Sequence, residues 1–322
     1  MRLLGEKRSA QRTVALLGPQ RTPRVSEALG PLIGDAEPVA VVTAGWEERE
    51  TELDEMSQHL ERDVTNLALY ARAEDVFQRD PELHTALQQH HARLRSLHQL
   101  YRLRLRYLVP AAEKLLARKG RRSLIEPERE AAIEDVRALD DHYLGRVAAL
   151  QREIEDEWQP TTRDAVAEHR QELEALLAGC AALCIAGGHV RVLLTRLKLF
   201  DILGMLPTST PIVAWSAGAM VLTDRVVLFH DSPPQGRGFA EVMRPGLGVC
   251  PGIVALPHAS RRLQLDDPVR VQLFARRFRG ARCVALDPGT QLVLEGGLWT
   301  APEPTLQLTE NGTLEAVAGG VN

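Results

Sequence analysis

Three side chains of this 322-residue sequence have the types and the order that acyl-transfer chemistry uses: Ser216, Asp231 and His258. A serine hydroxyl is a weak nucleophile until a base takes its proton, and an imidazole base needs a carboxylate to hold its tautomer. Residues 211–222 read PIVAWSAGAMVL, an apolar run suited to a buried strand, followed by small residues that open a helix. In a parallel α/β sheet that junction faces the crevice at the carboxyl ends of the strands. Ala214, Ala217, Gly218 and Ala219 leave room for the sharp turn that lifts a serine out of the backbone, here in the pattern A-x-S-x-G. A serine at this junction also suits a helix N-cap, and the pattern alone leaves both roles open. Asp231 follows the strand-like VVLF and also fits an Asx turn; His258 ends GIVALP and also fits an edge strand.

Positioning these groups falls to a chain that alternates strand and helix. RTVALLGPQ (12–20) and EPVAVVTAG (37–45) read as short buried strands joined by the helical VSEALGPLI. The alternation resumes at residue 180 with the strand CAALCIAGG, the helix HVRVLLTRLKLFDILGML and the strand TPIVAW. Further strands fit DRVVLF, GIVAL, ARCVAL and TQLVLEGG, and Asn311-Gly312 marks a terminal hairpin. Between them the period changes. Leu83, Leu87, Leu94, Leu97, Tyr101, Leu105 and Leu108 recur on one helix face, and Ile133, Val136, Leu139, Tyr143, Val147, Leu150, Ile154 and Trp158 on another. Pro127 suits a first helical turn and Pro160 a stop; a third helix covers about 162–178. The pattern divides the chain into an α/β domain, 1–51 and 179–322, and a helical insertion, 52–178. The insertion serves as a packing or dimerisation module or as a lid. Its YRLRLRY stretch reads as a solvated helix face rather than a nucleic-acid contact.

The order serine, aspartate, histidine and its neighbours resemble peptidase family S51, which includes aspartyl dipeptidase and cyanophycinase. The family elbow G-[TW]-S-A-G-A is similar to Ala214-Trp215-Ser216-Ala217-Gly218-Ala219, and an Asn-Asp-x-Pro segment to His230-Asp231-Ser232-Pro233. A histidine followed by arginines matches Pro257-His258-Ala259-Ser260-Arg261-Arg262. The G-G-[ND] turn matches Gly187-Gly188-His189, and acid-x-x-Thr matches Asp287-Pro288-Gly289-Thr290. The resemblance spans about 12–50 and 180–318. Departures are Ala214 for glycine, His189 for Asn/Asp and Ala259 for an aromatic.

The resemblance implies a three-layer, doubly wound, mainly parallel sheet of the class I glutamine amidotransferase type, carrying an all-helical insertion. It implies Ser216 as nucleophile, His258 as base, Asp231 as its orienting acid, and the Gly188 and Ala217 amides as oxyanion donors. It implies substrate contacts at Gly187, His189, Trp215 and Arg262. No cofactor or metal is called for. Aspartyl substrates carry carboxylates, and Arg237, Arg244, Arg261 and Arg262 are the basic groups nearest in sequence, with Arg262 the first choice. The expected activity is cleavage of a small peptide or amide, with an aspartyl dipeptide as the example. A catalytically silent ligand-binding or assembly protein and a specialised amide or ester hydrolase stand as alternatives. An amidotransferase would need cysteine at position 216.

Composition narrows the partners. With 44% apolar residues and a net charge of −4, the chain is globular without a basic field, which speaks against nucleic acid or an anionic membrane. The first residues, MRLLGEKRSAQRTVALLG, are too often interrupted by charge for a signal core, and the expected location is cytoplasmic. Four cysteines, Cys180, Cys184, Cys250 and Cys283, read as reduced packing residues. A homodimer with a small-molecule substrate completes the expectation.

Overall fold

The computed structural model describes residues 12–20, 24–230, 238–302 and 304–321. Five short strands form its parallel centre: β1 (Val14–Leu17), β2 (Val39–Val42), β3 (Val64–Asn66), β4 (Leu183–Ile185) and β5 (Ile212–Trp215). Their order is β1-β5-β4-β2-β3. All four residues of β1, β2 and β5 are buried, because both faces of the sheet are covered. The two-residue strand period splits them cleanly. Ala15, Leu17, Val39, Val41, Val213 and Trp215 face α1 (Arg24–Ile33) and α2 (Asp54–Leu60). Val14, Leu16, Ala40, Val42, Ile212 and Ala214 face the larger core, shared with α3 (Leu69–Arg79), α7 (Val190–Leu199), the short α8 (Ile202–Met205) and α9 (Ala217–Leu222).

The C-terminal half does not simply extend this sheet. β6 (Arg225–Leu228) and β7 (Glu241–Pro245) form an antiparallel pair, and β8 (Ile253–Pro257) and β9 (Arg282–Leu286) a parallel one. β10 (Gln291–Glu295), β11 (Leu298–Thr300) and β14 (Gly320–Val321) add antiparallel strands to the edge of β1. β12 (Leu306–Leu308) and β13 (Leu314–Ala316) form the expected hairpin, with Gly312 at φ +84°, and join β9. The single sheet expected from the strand pattern is therefore three sheets. The reason is hydrogen-bond valence: β5 and β10 already occupy both edges of β1, so β8 and β9 have no open edge there to join.

The span read as an insertion, 52–178, is not all helical. β3 falls inside it and closes the free edge of β2, pairing Val39 with Val64. The excursion proper comprises α3, α4 (Pro81–Ala117), α5 (Arg122–Trp158) and α6 (Asp164–Ala178). α4 and α5, each of 37 residues, form a long hairpin whose facing stripes are those foreseen. Pro127 lies inside α5, which starts at Arg122; a proline so near the start removes one intrahelical bond at a point where few have formed. Leu83, Leu94, Tyr101 and Leu105 pack with Ile133, Val136, Leu139 and Tyr143 in the same core cluster as the sheet.

A buried ion pair ties this hairpin to the α/β domain. Arg277, on α11 (Pro268–Arg277), donates to Asp140 of α5 through Nε at 2.7 Å and Nη2 at 2.7 Å. Tyr101 of α4 donates to Asp140 at 2.8 Å and accepts from Val242 N–H of β7 at 3.1 Å. Asp140 is 1% and Arg277 4% exposed, so neither charge has water to fall back on. Around this pair α11 makes further bridges, Arg270 to Glu113 and Arg276 to Glu126. All four cysteines are free thiols, three of them buried. Among the described residues no helix is long and apolar enough to cross a membrane.

Candidate active site

Ser216 joins β5 to α9 with φ 54° and ψ −120°, a backbone conformation a non-glycine residue holds only under constraint. The constraint comes from both sides: Ser216 N–H donates to Leu17 O at 3.3 Å, continuing the β1–β5 pairing, and Ser216 O accepts from Met220 N–H at 3.2 Å, starting the helix. The serine hydroxyl caps nothing. That removes the N-cap role the sequence left open and leaves a half-buried hydroxyl at the strand's carboxyl end.

Glycines set how closely the surrounding turns approach. A Cβ on Gly187 would stand 2.9 Å from Ser216 Cβ and 3.2 Å from its Oγ. Gly188, at φ +111°, has its would-be Cβ overlapping the Gly45 carbonyl, and a Cβ on Gly218 would overlap the Ile185 carbonyl at the end of β4. Sequence reasoning passed over Gly45, although a glycine straight after the VAVVTA strand was the available signal. His189 N–H donates to Gly45 O at 2.7 Å, which locks the 45 turn to the 187–189 turn. Among the described residues the N–H groups of Gly188 and Ala217 donate to no protein acceptor. Two unmatched amides flanking a hydroxyl can receive negative charge, and Ala217 heads a helix whose dipole adds to that.

His189 is exposed, and its Nδ1 accepts from Val192 N–H at 3.2 Å, capping α7. An Asn or Asp there would make the same bond, so the departure at this position keeps the turn intact. Glu47, at φ 58° and ψ −125°, holds its carboxylate 4.0 Å from the same ring nitrogen. Trp215, expected to contact substrate, is 7% exposed and packs in the core with α1 and α2, because the strand period turns it to the opposite side from Ala214.

His258 follows β8 directly, half-buried and in the left-handed region at φ 59°, ψ 34°. Its N–H donates to Leu286 O at 3.0 Å, and its carbonyl accepts from Arg262 N–H at 2.9 Å, so the backbone carrying the ring is pinned at both ends. Asp287, immediately after β9, accepts from Ser260 N–H at 3.1 Å and Ser260 Oγ at 2.9 Å. It thereby anchors α10 (Ala259–Arg262), the turn that begins at His258. The same residue links the two sheets. Gly18 at the end of β1 abuts the Asp287 carbonyl, and Gly18 N–H donates to Thr290 O at 3.1 Å. The carboxyl ends of β1, β2, β4, β5, β8 and β9 are thus joined at one rim, although β8 and β9 belong to a separate sheet. α9 also packs against β8.

Arg262 is half-buried on α10, and burial, with Arg261 beside it, lowers its pKa from the usual arginine value. Asp231 and Arg237 lie outside the described residues. Arg244 is not on the rim: β7 carries it to a cavity beneath the insertion. Its neighbourhood in sequence did not translate into neighbourhood in space because β7 runs back along β6, bringing Arg244 opposite Val226 at the start of that strand.

Comparison with known proteins agrees with a peptidase assignment at the family level. No curated protein matches the chain. Among solved structures, a peptidase from an acI-B1 Actinobacterium matches over 97% of this chain and 98% of that one, at 13% identity and a TM-score of 0.49. The family model of peptidase family S51 matches residues 133–300, more than half of the chain and the span that holds Gly187, Gly188, Ser216 and His258. The chain belongs to peptidase family S51.

Proposed function

We propose that this protein is a serine hydrolase that cleaves a small peptide or amide through an acyl-enzyme, with Ser216 as nucleophile. The observation that carries this reading is the Ser216 turn: a strained non-glycine backbone, a hydroxyl engaged in no cap, and a glycine pressed against it. Strain of this kind costs about 1–3 kcal/mol and persists where function retains it. In this reading Ser216 Oγ attacks the acyl carbon as His258 takes its proton, and the amide nitrogen leaves carrying that proton. Water then attacks the ester, again through His258, and regenerates the serine. The Gly188 and Ala217 N–H groups hold the oxyanion, each donor contributing about 3 kcal/mol. Asp231 orients the imidazole.

The fold in this reading is of the class I glutamine amidotransferase type, with serine in place of cysteine at the elbow. Helices on both faces of the parallel centre support it. For substrate we infer a short peptide bearing a carboxylate, an aspartyl dipeptide being the first choice. Its carboxylate would meet Arg262, whose fork suits that group.

A serine-directed fluorophosphonate tests the chemistry. Native wild-type protein is expected to label at Ser216, and Ser216→Ala is expected not to label. Failure of the native wild type to label would remove the hydrolase reading in favour of a silent relative. Turnover across α-Asp-X, β-Asp-X and uncharged dipeptides then decides the substrate: a reactive Ser216 with no turnover on any of them points to a specialised amide or ester.

A further inference from the structure

Between the insertion and the α/β domain lies a cavity of about 340 Å³, within the range that holds small ligands. Phe77 of α3, Leu87 of α4, Val147 and Ile154 of α5, and Leu194 and Leu199 of α7 supply an apolar wall. It is separate from the Ser216 rim. The cavity uses the C-terminal half of α7, whereas the 187–189 turn sits before that helix's first residue, roughly 10 Å away at 1.5 Å per residue.

The polar groups in this space do not balance one another. Lys198 donates to Pro245 O at 3.3 Å, and Arg196 pairs with Glu74 at 3.0 Å. Arg244 has no hydrogen-bond or ion-pair partner among the described residues, and burial, with Arg191 nearby, lowers its pKa to about 10. His90 is 5% exposed, and its Nδ1 has no partner. The acid in the lining, Glu155, is already engaged by Gln151 Nε2 at 2.8 Å. A half-buried cation without a bonded acceptor and a buried imidazole nitrogen without a partner, both in the lining of one largely apolar space, are costly unless something answers them.

We propose that this cavity binds a small amphipathic carboxylate, its charge on Arg244 and the His90 Nδ1–H and its apolar part against Phe77, Leu87 and Ile154. Arg244 is the guanidinium of the lining that meets no acceptor among the described residues, so it calls for a negative charge, and Glu155 in the wall opposes a second. The planar fork of arginine suits a carboxylate. The apolar lining excludes a ligand that is all charge.

Octanoate is a direct probe, titrated calorimetrically into the full-length protein beside octan-1-ol and octylamine. Octanoate is expected to bind, with the alcohol and the amine at least tenfold weaker. Arg244→Gln is expected to weaken octanoate at least tenfold while Ser216 still labels with fluorophosphonate. Ala148→Trp, at an exposed position in the lining, is expected to exclude octanoate by filling the mouth, and it decides the matter should Arg244→Gln fail to fold. Ser216→Ala is expected to bind octanoate as wild type does. The inference is overturned by absence of octanoate binding to wild type, by octanol binding as tightly, by unchanged affinity in Arg244→Gln or Ala148→Trp, or by loss of binding in Ser216→Ala.

Discussion

The α4–α5 hairpin and the carboxyl rim of the sheet are built on opposite principles. In the hairpin, regular helices meet through apolar stripes, and its buried charge, Asp140, is matched in bidentate geometry by Arg277 of α11. At the rim, Ser216, His258 and Glu47 all stand at positive φ, Gly18, Gly187, Gly188 and Gly218 admit no side chain, and amide donors are left without protein partners among the described residues. One region spends its contacts on stability. The other stores strain and open hydrogen-bonding capacity, as a site awaiting a ligand does.

Breaking the rim should therefore cost activity and spare stability, and the largest effect is at Ser216. Ser216→Ala is expected to lower turnover of any cleaved substrate by roughly 10⁴-fold or more. Ser216→Gly, which relaxes the φ 54° strain, is expected to be equally inactive yet about 1 kcal/mol more stable in urea unfolding. A loss of stability in the glycine variant would contradict the division drawn here.

Breaking the hairpin should do the reverse. Asp140→Ala strands the buried Arg277 guanidinium and is expected to cost about 3–5 kcal/mol in denaturant unfolding. Fluorophosphonate labelling at temperatures where the variant stays folded is expected to persist. Loss of labelling without loss of stability would assign Asp140 to the site instead.

Acid should also attack the hairpin first. Burial, then Arg244 and His90, lowers the pKa of His91 to about 4; burial, then Arg102 and Arg191, does the same for His98, against the opposing pull of Glu241, whose carboxylate lies 3.4 Å from its Nε2. An unfolded histidine titrates near 6.5. Below that pH the unfolded chain binds protons the folded histidines refuse, so the stability present above pH 6.5 is lost as pH falls toward 4. A decline of roughly 2 kcal/mol between pH 7 and 4.5 is expected, allowing for partial solvent screening. The double variant His91→Gln/His98→Gln should flatten this slope; an unaltered slope would assign the acid sensitivity to carboxylates such as Asp80, whose pKa its Arg163 partner lowers.

The smallest expected effect lies at the seam between sheets. Asp287→Asn keeps the shape but weakens the bonds that hold Ser260 and the turn after His258. Stability is expected to fall by about 1 kcal/mol, while labelling of Ser216 slows roughly tenfold as the ring loses its placement. Equal labelling rates would make Asp287 a purely structural anchor.

Much of this organisation was legible in the residues. The facing stripes of α4 and α5 appeared at the right positions because a helix face repeats every three or four residues whatever it packs against. The Ser216 junction was legible because a buried strand followed by small residues is a local pattern. The three-residue β3 was hidden, since its place depends on β2 having an open edge. Trp215 in the motif looked available to a substrate, and only the pairing of β5 with β1 turned it into the core.

By itself the sequence determined the alternation of strands and helices, the helical excursion and the order in which serine and histidine follow their strands, all of which rest on short-range periodicity and turn chemistry. The tertiary structure alone decided that β8 and β9 form their own sheet, that Asp287 couples them to β1, that Asp140 meets Arg277, and that Arg244 faces a cavity. Those outcomes depend on which hydrogen-bonding edges are already occupied and which buried charges find partners, and these are settled only when distant segments are brought together.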